Sequence, residues 1–260
     1  MNHTDEIWDA IEHAAVLLRE ACYAVVLTGA GMSTPSGIPD FRTPELGLWE
    51  STDPMEVVSL YAFRRDPQKF YDWMRPMVKT ILTADPNPGH RALTKLEESG
   101  FLKAIITQNI DDLHQRAGSH EVLELHGHIR KATCISCYRT QPTGELLKDF
   151  LGSGAIPHCP VCGGVMKPNV VLLGEQLPVT VINAAMGHIR QADLMLIAGS
   201  SLEVLPVSRL PLQVHERSGR LVMVNLTPTY VDELADVVIH ADIADALPAL
   251  ARTCVEKGRR

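Results

Sequence analysis

The chain has 260 residues, 45% of them apolar and 21% charged. That length holds one large domain or a domain with an insertion, and that balance excludes a disordered chain. Lys and Arg total 24 against 31 Asp and Glu, a formal net charge of −7, which argues against direct binding of DNA or RNA, since that needs a basic face. The same acidic balance is compatible with capture of lysine-rich protein segments.

The opening Met1-Asn2-His3-Thr4-Asp5-Glu6 lacks the charged-then-apolar order of a secretory signal. No apolar run approaches the ~18 residues of a membrane span, so the expectation is a cytoplasmic protein without membrane contact. Ile7, Ile11, Ala14 and Leu18 recur at helical spacing and predict a first helix starting after Thr4 or Asp5 as its cap. Ala24-Val25-Val26-Leu27 follows as a short buried strand that ends in Thr28-Gly29-Ala30-Gly31. Residues 45–85, with Trp49, Tyr61, Phe63, Phe70, Tyr71 and Trp73 among prolines, read as an irregular helical insertion.

A helical pattern at Arg91–Glu98 and a strand at Ala104-Ile105-Ile106 come next. Residues 128–166 hold two cysteine pairs amid Gly, Pro and Ser and cannot supply a strand of the main sheet. A helix is expected near Val179–Gln191, strands at Leu194–Ile197, Leu221–Val224 and Val237–Ile239, and a last helix near Asp242–Arg252. Strands alternating with helices predict an α/β fold with a doubly wound, parallel, Rossmann-like sheet. Residues 1–44, 86–127 and 167–260 would form that domain. The excursions 45–85 and 128–166 would form a smaller lobe from a helical insertion and a zinc-ribbon module.

Four of the six cysteines form two Cys-x-x-Cys pairs, Cys134/Cys137 and Cys159/Cys162. In a reducing compartment such pairs read as metal ligands rather than disulfides. Four thiolates close a tetrahedron around Zn²⁺ with no open position, so this zinc would be structural, stabilising a module without an apolar core of its own. A thioredoxin-like redox pair and an iron–sulfur cluster are the alternatives; two pairs flanking one loop-rich segment favour zinc.

Gly29-Ala30-Gly31-Met32-Ser33-Thr34 follows the first strand. Glycines there let backbone N–H groups approach a pyrophosphate. Thr34 stands where the ordinary dinucleotide fingerprint has glycine, and alone the fragment could equally be a plain tight turn. After it, Ser36-Gly37-Ile38-Pro39-Asp40-Phe41-Arg42 puts an acid, an aromatic and a cation into one loop.

Together these two segments resemble the signature of the sirtuin family, of bacterial or archaeal type. Five further segments match in family order: Thr107-Gln108-Asn109-Ile110-Asp111 with Leu113-His114 and Ala117-Gly118, Glu124-Leu125-His126-Gly127, the four-cysteine spacing, Pro168-Asn169-Val170-Val171-Leu172-Leu173-Gly174-Glu175, and Gly199-Ser200-Ser201-Leu202. The resemblance runs from about residue 7 to 252. It implies an NAD-dependent protein deacylase that removes acyl groups from lysine side chains and releases nicotinamide and O-acyl-ADP-ribose.

The resemblance also implies roles. NAD would lie over Gly29, Ala30, Gly31 and Ser33, with Gly199, Ser200, Ser201, Asn225, Leu226 and Ile243 towards the adenosine end. Asp40 belongs to the same site; Phe41 would shield the reactive ribose face and Arg42 would help hold the phosphates. Gln108, Asn109, Ile110 and Asp111 would line the nicotinamide-ribose pocket, Asn109 as a catalytic residue. His126 would be the general base acting on a ribose hydroxyl, a task that suits an imidazole of ordinary pKa near ~6.5. The chain has eleven histidines, and His90, His128 and His188 read as structural, whereas His114 falls inside a motif and would buttress the pocket.

Val171, Leu172, Leu173 and Gly174 would border a cleft for an extended acyl-lysine peptide, with Glu203 and Val204 opposite; on composition alone Val170–Leu173 reads more readily as one more core strand. Two departures are small: Ser200 replaces the usual threonine, and Leu173 stands where an aromatic is common. A third bears on the acyl group. Family members that prefer succinyl or malonyl lysine resemble one another in a Tyr-x-x-Arg pair, whereas here Tyr71 is followed by Met74, with the cation at Arg75. One residue on a helix turns a side chain by about 100°, so Arg75 is expected to point away from where Tyr71 aims. Met74 would offer an apolar wall, favouring acetyl or longer aliphatic groups over succinyl. A protein ADP-ribosyltransferase or an NAD hydrolase would break the same nicotinamide bond, so His126 does not separate these activities. A zinc-ribbon binding module would leave Gln108-Asn109-Ile110-Asp111 and His126 unexplained.

Overall fold

Runs of β-branched and long aliphatic residues become the strands, and amphipathic stretches between them become the helices. The computed structural model describes residues 3–40 and 53–258; Phe41 and Arg42 lie outside the described residues. The chain begins with α1 (His3–Glu20) and β1 (Ala24–Thr28). The insertion follows as α2 (Pro54–Val57), α3 (Leu60–Arg65) and α4 (Pro67–Thr83), then α5 (Pro88–Glu98), β2 (Leu102–Thr107), α6 (Leu113–Ala117) and β3 (Val122–Glu124). The cysteine-bearing segment supplies β4 (Gly127–Cys134), β5 (Thr140–Pro142) and α7 (Gly144–Ser153), and β6 (Met166–Val170) carries the smaller sheet past residue 166, into residues expected in the main domain. The remainder alternates as α8 (Val179–Gln191), β7 (Leu194–Ala198), α9 (Leu210–His215), β8 (Arg220–Val224), β9 (Val237–Ile239) and α10 (Ile243–Lys257).

The main sheet has six strands in the order β3-β2-β1-β7-β8-β9, and every pairing is parallel. Chain order therefore reverses direction between β1 and β7, the switch point where open α/β sheets place their ligands. Alternate residues of the central strands face opposite layers. Val26, Leu196 and Val222 join the core beneath α1, α5 and α10, while Val25, Leu27, Ile197 and Met223 join the one beneath α8 and α9. All seven are fully buried, each contributing roughly 1.5–3 kcal/mol relative to exposure.

The smaller lobe has its own core, shared between the helical insertion and the cysteine-bearing segment. Phe63, Phe70, Tyr71 and Phe150 pack edge-to-face or tilted, with centroids 5.0–6.3 Å apart, an arrangement that adds to simple burial. Asp53, Ser59 and Asp66 each cap the following helix through a side-chain oxygen, so the described part of the insertion folds as capped helices rather than as an irregular segment. A second sheet, β5-β4-β6, is antiparallel, and none of its strands joins the main sheet, as the Gly, Pro and Ser content predicts. Helix α1 begins at His3, so Thr4 and Asp5 lie within its first turn instead of capping it; two acids there suit the positive end of the helix dipole. Among the described residues no helix is long and apolar enough to cross a membrane.

Candidate active site

At the switch point the loops after β1 and β7 meet almost backbone to backbone. A Cβ on Gly199, whose φ is +58°, would lie 2.3 Å from Met32 N, and one on Gly31 would lie 3.0 Å from Gly199 O. Only glycine permits this approach. The result is a cradle of backbone at the base of a cleft of about 1060 Å³, the upper end of the volumes typical of ligand sites.

Gly29, Ala30, Gly31, Ser33 and Asp40 line this cleft from the first loop. Gly199, Ser200, Ser201, Asn225, Leu226 and Ile243 line it from the far half of the sheet. Gln108, Asn109, Ile110 and Asp111 enter from the end of β2, and His126 from the turn between β3 and β4. Val171, Leu172, Leu173 and Gly174 form one wall of the mouth and Glu203 and Val204 lie on the cleft as well, while Met74 reaches it from α4.

A hydrogen-bond chain fixes the polar end. Asn109 Nδ2 donates to Ser33 Oγ (3.0 Å), and Ser33 Oγ donates to Asp111 Oδ2 (2.6 Å). Leu113 N–H donates to Asp111 Oδ1 (3.0 Å). Burial of Asp111 nevertheless raises its pKa above the usual carboxylate range. Gln108 Nε2 donates to Ser200 Oγ (3.0 Å), tying the two halves of the cleft across the switch point.

His126 Nδ1 lies 3.1 Å from the Gln108 carbonyl oxygen. That oxygen can only accept, so Nδ1 carries the proton and Nε2 keeps its lone pair. Burial lowers the His126 pKa below its ordinary value, and the bond to Gln108 opposes this only in part. The imidazole is thus neutral at neutral pH, with a basic nitrogen on a cleft-lining ring. The following Gly127 (φ +75°) passes so close to Asn169 that a Cβ would fall 2.0 Å from its carbonyl oxygen, which fixes the turn.

Beneath this floor the pocket rests on buried polar groups. Thr28 Oγ1 donates to Thr107 Oγ1 (2.8 Å) and sits 3.0 Å from His114 Nε2, and Asn109 N–H donates to Thr107 Oγ1 (3.0 Å). His114 therefore lies under the loop that carries Asn109. Its ring packs edge-on against His90 at 4.8 Å.

The four cysteine sulfurs lie within 4.8 Å of one another, with Cys134–Cys162 at 3.5 Å and Cys137–Cys159 at 3.7 Å. Tetrahedral Zn–S bonds of about 2.3 Å require sulfurs about 3.8 Å apart, so the donor set fits one zinc ion. N–H groups of Ser136 and Cys137 point at Cys134 Sγ (3.4 and 3.5 Å), as supports of a metal-bound thiolate do.

The sequence profile of the Sir2 family matches residues 29–206. The chain belongs to the Sir2 family. It is 45% identical to an NAD-dependent protein deacetylase of Sulfurisphaera tokodaii, over 90% of this chain and 92% of that one. A structure described as the basis for the mechanism and regulation of Sir2 enzymes superposes with a TM-score of 0.89 at 41% identity, covering 96% of this chain and 99% of that one. A Sir2 variant holding a deacetylated peptide and 3′-O-acetyl ADP-ribose superposes at 0.87 with 39% identity, covering 95% and 98%.

Within this Sir2-family cleft, two expectations for α4 need correction. Tyr71 does not line the cleft: it is buried in the small-lobe core, and its hydroxyl donates to Met166 O (2.5 Å). Nor does Arg75 diverge from it. Arg75 Nη2 donates to Leu151 O (2.5 Å) and its guanidinium stands 5.8 Å over Phe150, the ring that Tyr71 also packs against. Residues four apart share a helix face, so Tyr71 and Arg75 look together towards α7 while Met74 looks into the cleft. Sequence reasoning missed Phe70, Trp73, Met77 and Ile81, which also line the cleft; their spacing of three, four and seven along α4 was the available signal. Leu173 has its N–H bonded to Val58 O (2.9 Å), and its carbonyl accepts from Leu60 N–H (3.0 Å). The segment after β6 is therefore a fixed rim anchored to the helical insertion, not a core strand.

Proposed function

We propose that the chain is an NAD-dependent protein-lysine deacylase that removes acetyl and longer aliphatic acyl groups. One observation carries the reading: a neutral His126 with its Nε2 lone pair free lines the same switch-point cleft as the Asn109–Ser33–Asp111 chain and the Gly31–Gly199 cradle. When bound, NAD supplies a ribose from which nicotinamide leaves and whose hydroxyl takes up the acyl group.

In this reading the backbone around Gly29, Ala30 and Gly31 holds the pyrophosphate, and Ser200 and Asn225 face the adenosine half. Asn109 and Asp111, locked through Ser33, orient the nicotinamide ribose. His126 accepts the hydroxyl proton at Nε2, and its Nδ1–H keeps the ring in register through Gln108 O. Positioned acid–base groups of this kind contribute about 10²–10⁴-fold in rate. Val171–Gly174 and Glu203–Val204 flank the substrate segment, and Met74, Phe70 and Met77 give the acyl group apolar surroundings. The four cysteines hold one zinc ion, which braces the smaller lobe and takes no part in the chemistry.

The test is incubation with NAD and a panel of acyl-lysine peptides, measuring nicotinamide release and peptide mass together. Loss of the acyl mass with matching nicotinamide and O-acyl-ADP-ribose is expected. A mass gain of ADP-ribose on protein, or nicotinamide release without any change of peptide mass, would overturn the reading.

A further inference from the structure

Two separate pieces of chain must be held together for this cleft to work: the loop after β2, with Gln108, Asn109 and Asp111, and the β3–β4 turn, with His126. Their outer ends carry acids. Asp112 directly follows Asp111, and Glu124 stands two residues before His126. Side by side and poorly solvated, the two carboxylates repel each other and would push the two pieces apart.

Arg130 stands between them. Its Nη1 and Nη2 donate to the two carboxylate oxygens of Glu124 at 2.7 and 2.5 Å, and Nη1 also bonds Asp112 Oδ1. The Glu124 side chain is only 10% exposed and that of Asp112 22%, while Arg130 is 37% exposed, so the carboxylates are the sheltered part of the cluster and the guanidinium covers them on the solvent side. Asp112 takes φ +69°, a left-handed conformation that Asp adopts more readily than most residues, and from it the carboxylate meets Arg130. The backbone repeats the link: Ile129 N–H donates to Ile110 O (3.2 Å) and Leu125 N–H to Thr107 O (2.9 Å). Neither Arg130 nor Asp112 is among the described residues that line the cleft.

We propose that Arg130 is a positioning residue for the reaction: its fork clamps the Asp111–Asp112 loop to the Glu124–His126 turn and so sets the nicotinamide-ribose pocket against its base. A guanidinium is the one side chain that can engage one carboxylate with two parallel bonds while holding a second. Arg130 lies on β4, four residues before Cys134, and its carbonyl accepts from Thr143 N–H (3.0 Å). The clamp is thereby fastened to the zinc-bearing module, which gives that module a bearing on the pocket without a ligand of its own in it.

The inference rests on the reading of this cleft as an NAD site. The test uses the full-length, zinc-loaded protein and the variants Arg130→Met, Arg130→Lys, Asp112→Asn and the Arg130→Met/Asp112→Asn pair. Readouts are NAD affinity by calorimetry, kcat/KM for NAD, KM for the acyl peptide, and zinc content. Arg130→Met should lower kcat/KM for NAD by about tenfold or more, since misplacement near 1 Å costs up to about 100-fold, with peptide KM and zinc unchanged. Asp112→Asn should act in the same direction, and the double variant should be no worse than Arg130→Met alone, because both remove one clamp. Arg130→Lys should recover part of the loss. NAD parameters in Arg130→Met equal to wild type, or single losses that multiply in the double variant, would overturn the clamp while leaving the deacylase reading intact. Should Arg130→Met lose zinc, the comparison of Arg130→Lys with Asp112→Asn decides on the same terms. A wild-type protein that binds no NAD would overturn both.

Discussion

Two buried histidines make the fold sensitive to mild acid. His90 and His114 are fully enclosed, and burial pushes the His90 pKa down to about 4 and that of His114 well below its ordinary value. In the unfolded chain both titrate near ~6.5. Below that pH the unfolded state binds protons that the native state refuses, so stability falls as pH drops. Between pH 7 and 5 the His90 shift alone costs about 2 kcal/mol, at 1.36 kcal/mol per pH unit, and His114 acts in the same direction. Burial lowers His126 and His128 as well, which adds in the same direction. Against a typical total of about 5–15 kcal/mol this is large, and for a chain of this size the His90 share alone lowers Tm by roughly 5 °C. Thermal unfolding at pH 7, 6 and 5 reads the effect directly, and His90→Gln should make the fall in Tm towards pH 5 shallower. A Tm that stays level or rises towards pH 5 would refute the reasoning.

Four further outcomes are expected. His126→Ala should lower deacylation by about 10²–10⁴-fold with thermal stability and zinc content retained, as measured by steady-state kinetics and elemental analysis. Because the base works only when neutral and burial lowers its pKa, the acid limb of kcat/KM should fall at a pH below ~6.5; a limb above 7 would contradict the buried imidazole. Elemental analysis should find one zinc per chain, and Cys134→Ser or Cys159→Ser should destabilise the smaller lobe, since structural zinc binding is folding energy on the order of 10 kcal/mol. On one peptide, kcat/KM for the acetyl form should exceed that for the succinyl form, and a clear succinyl preference would sink the Met74 assignment.

The main sheet was readable because its strands are buried on both faces. A run such as Leu194–Ala198 has no polar alternation to confuse with a surface strand, and the helices between the runs keep a 3.6-residue period. Strand β3 was harder: three residues, Val122–Glu124, carry too little pattern to stand out. The start of α1 was misplaced for a related reason. Thr4 and Asp5 are good capping residues, but acids also suit the first turn itself, and composition cannot separate the two positions. The cysteine cluster was legible from spacing because a tetrahedral metal demands four ligands and nothing else in a loop-rich segment does.

The polar end of the cleft was legible for the opposite reason to its apolar wall. Asn109, Asp111 and His126 are chemically scarce, and a motif fixes each on a tight backbone path after a strand. Along α4, by contrast, Phe70, Tyr71, Trp73, Met74 and Met77 are all plausible on either side of the helix, and only packing decides. Phe150, more than seventy residues away in a different module, attracts both the Tyr71 ring and the Arg75 guanidinium, and Leu151 O takes the Arg75 N–H. The one-residue displacement of the cation therefore acts differently from a simple rotation away from Tyr71: it lets the cation join Tyr71 on the buried side of α4. The acyl wall is left to Met74 and its neighbours at helical spacing. A carboxylate at the end of an acyl chain would meet thioether and aromatic carbon there rather than a hydroxyl and a guanidinium, and the cost of desolvating that charge without a partner is what should turn the enzyme towards uncharged acyl groups. Met74→Arg, which puts a cation on the cleft side of the helix, should narrow the gap between acetyl and succinyl peptides; a gap unchanged in that variant would show that the acyl end does not reach α4.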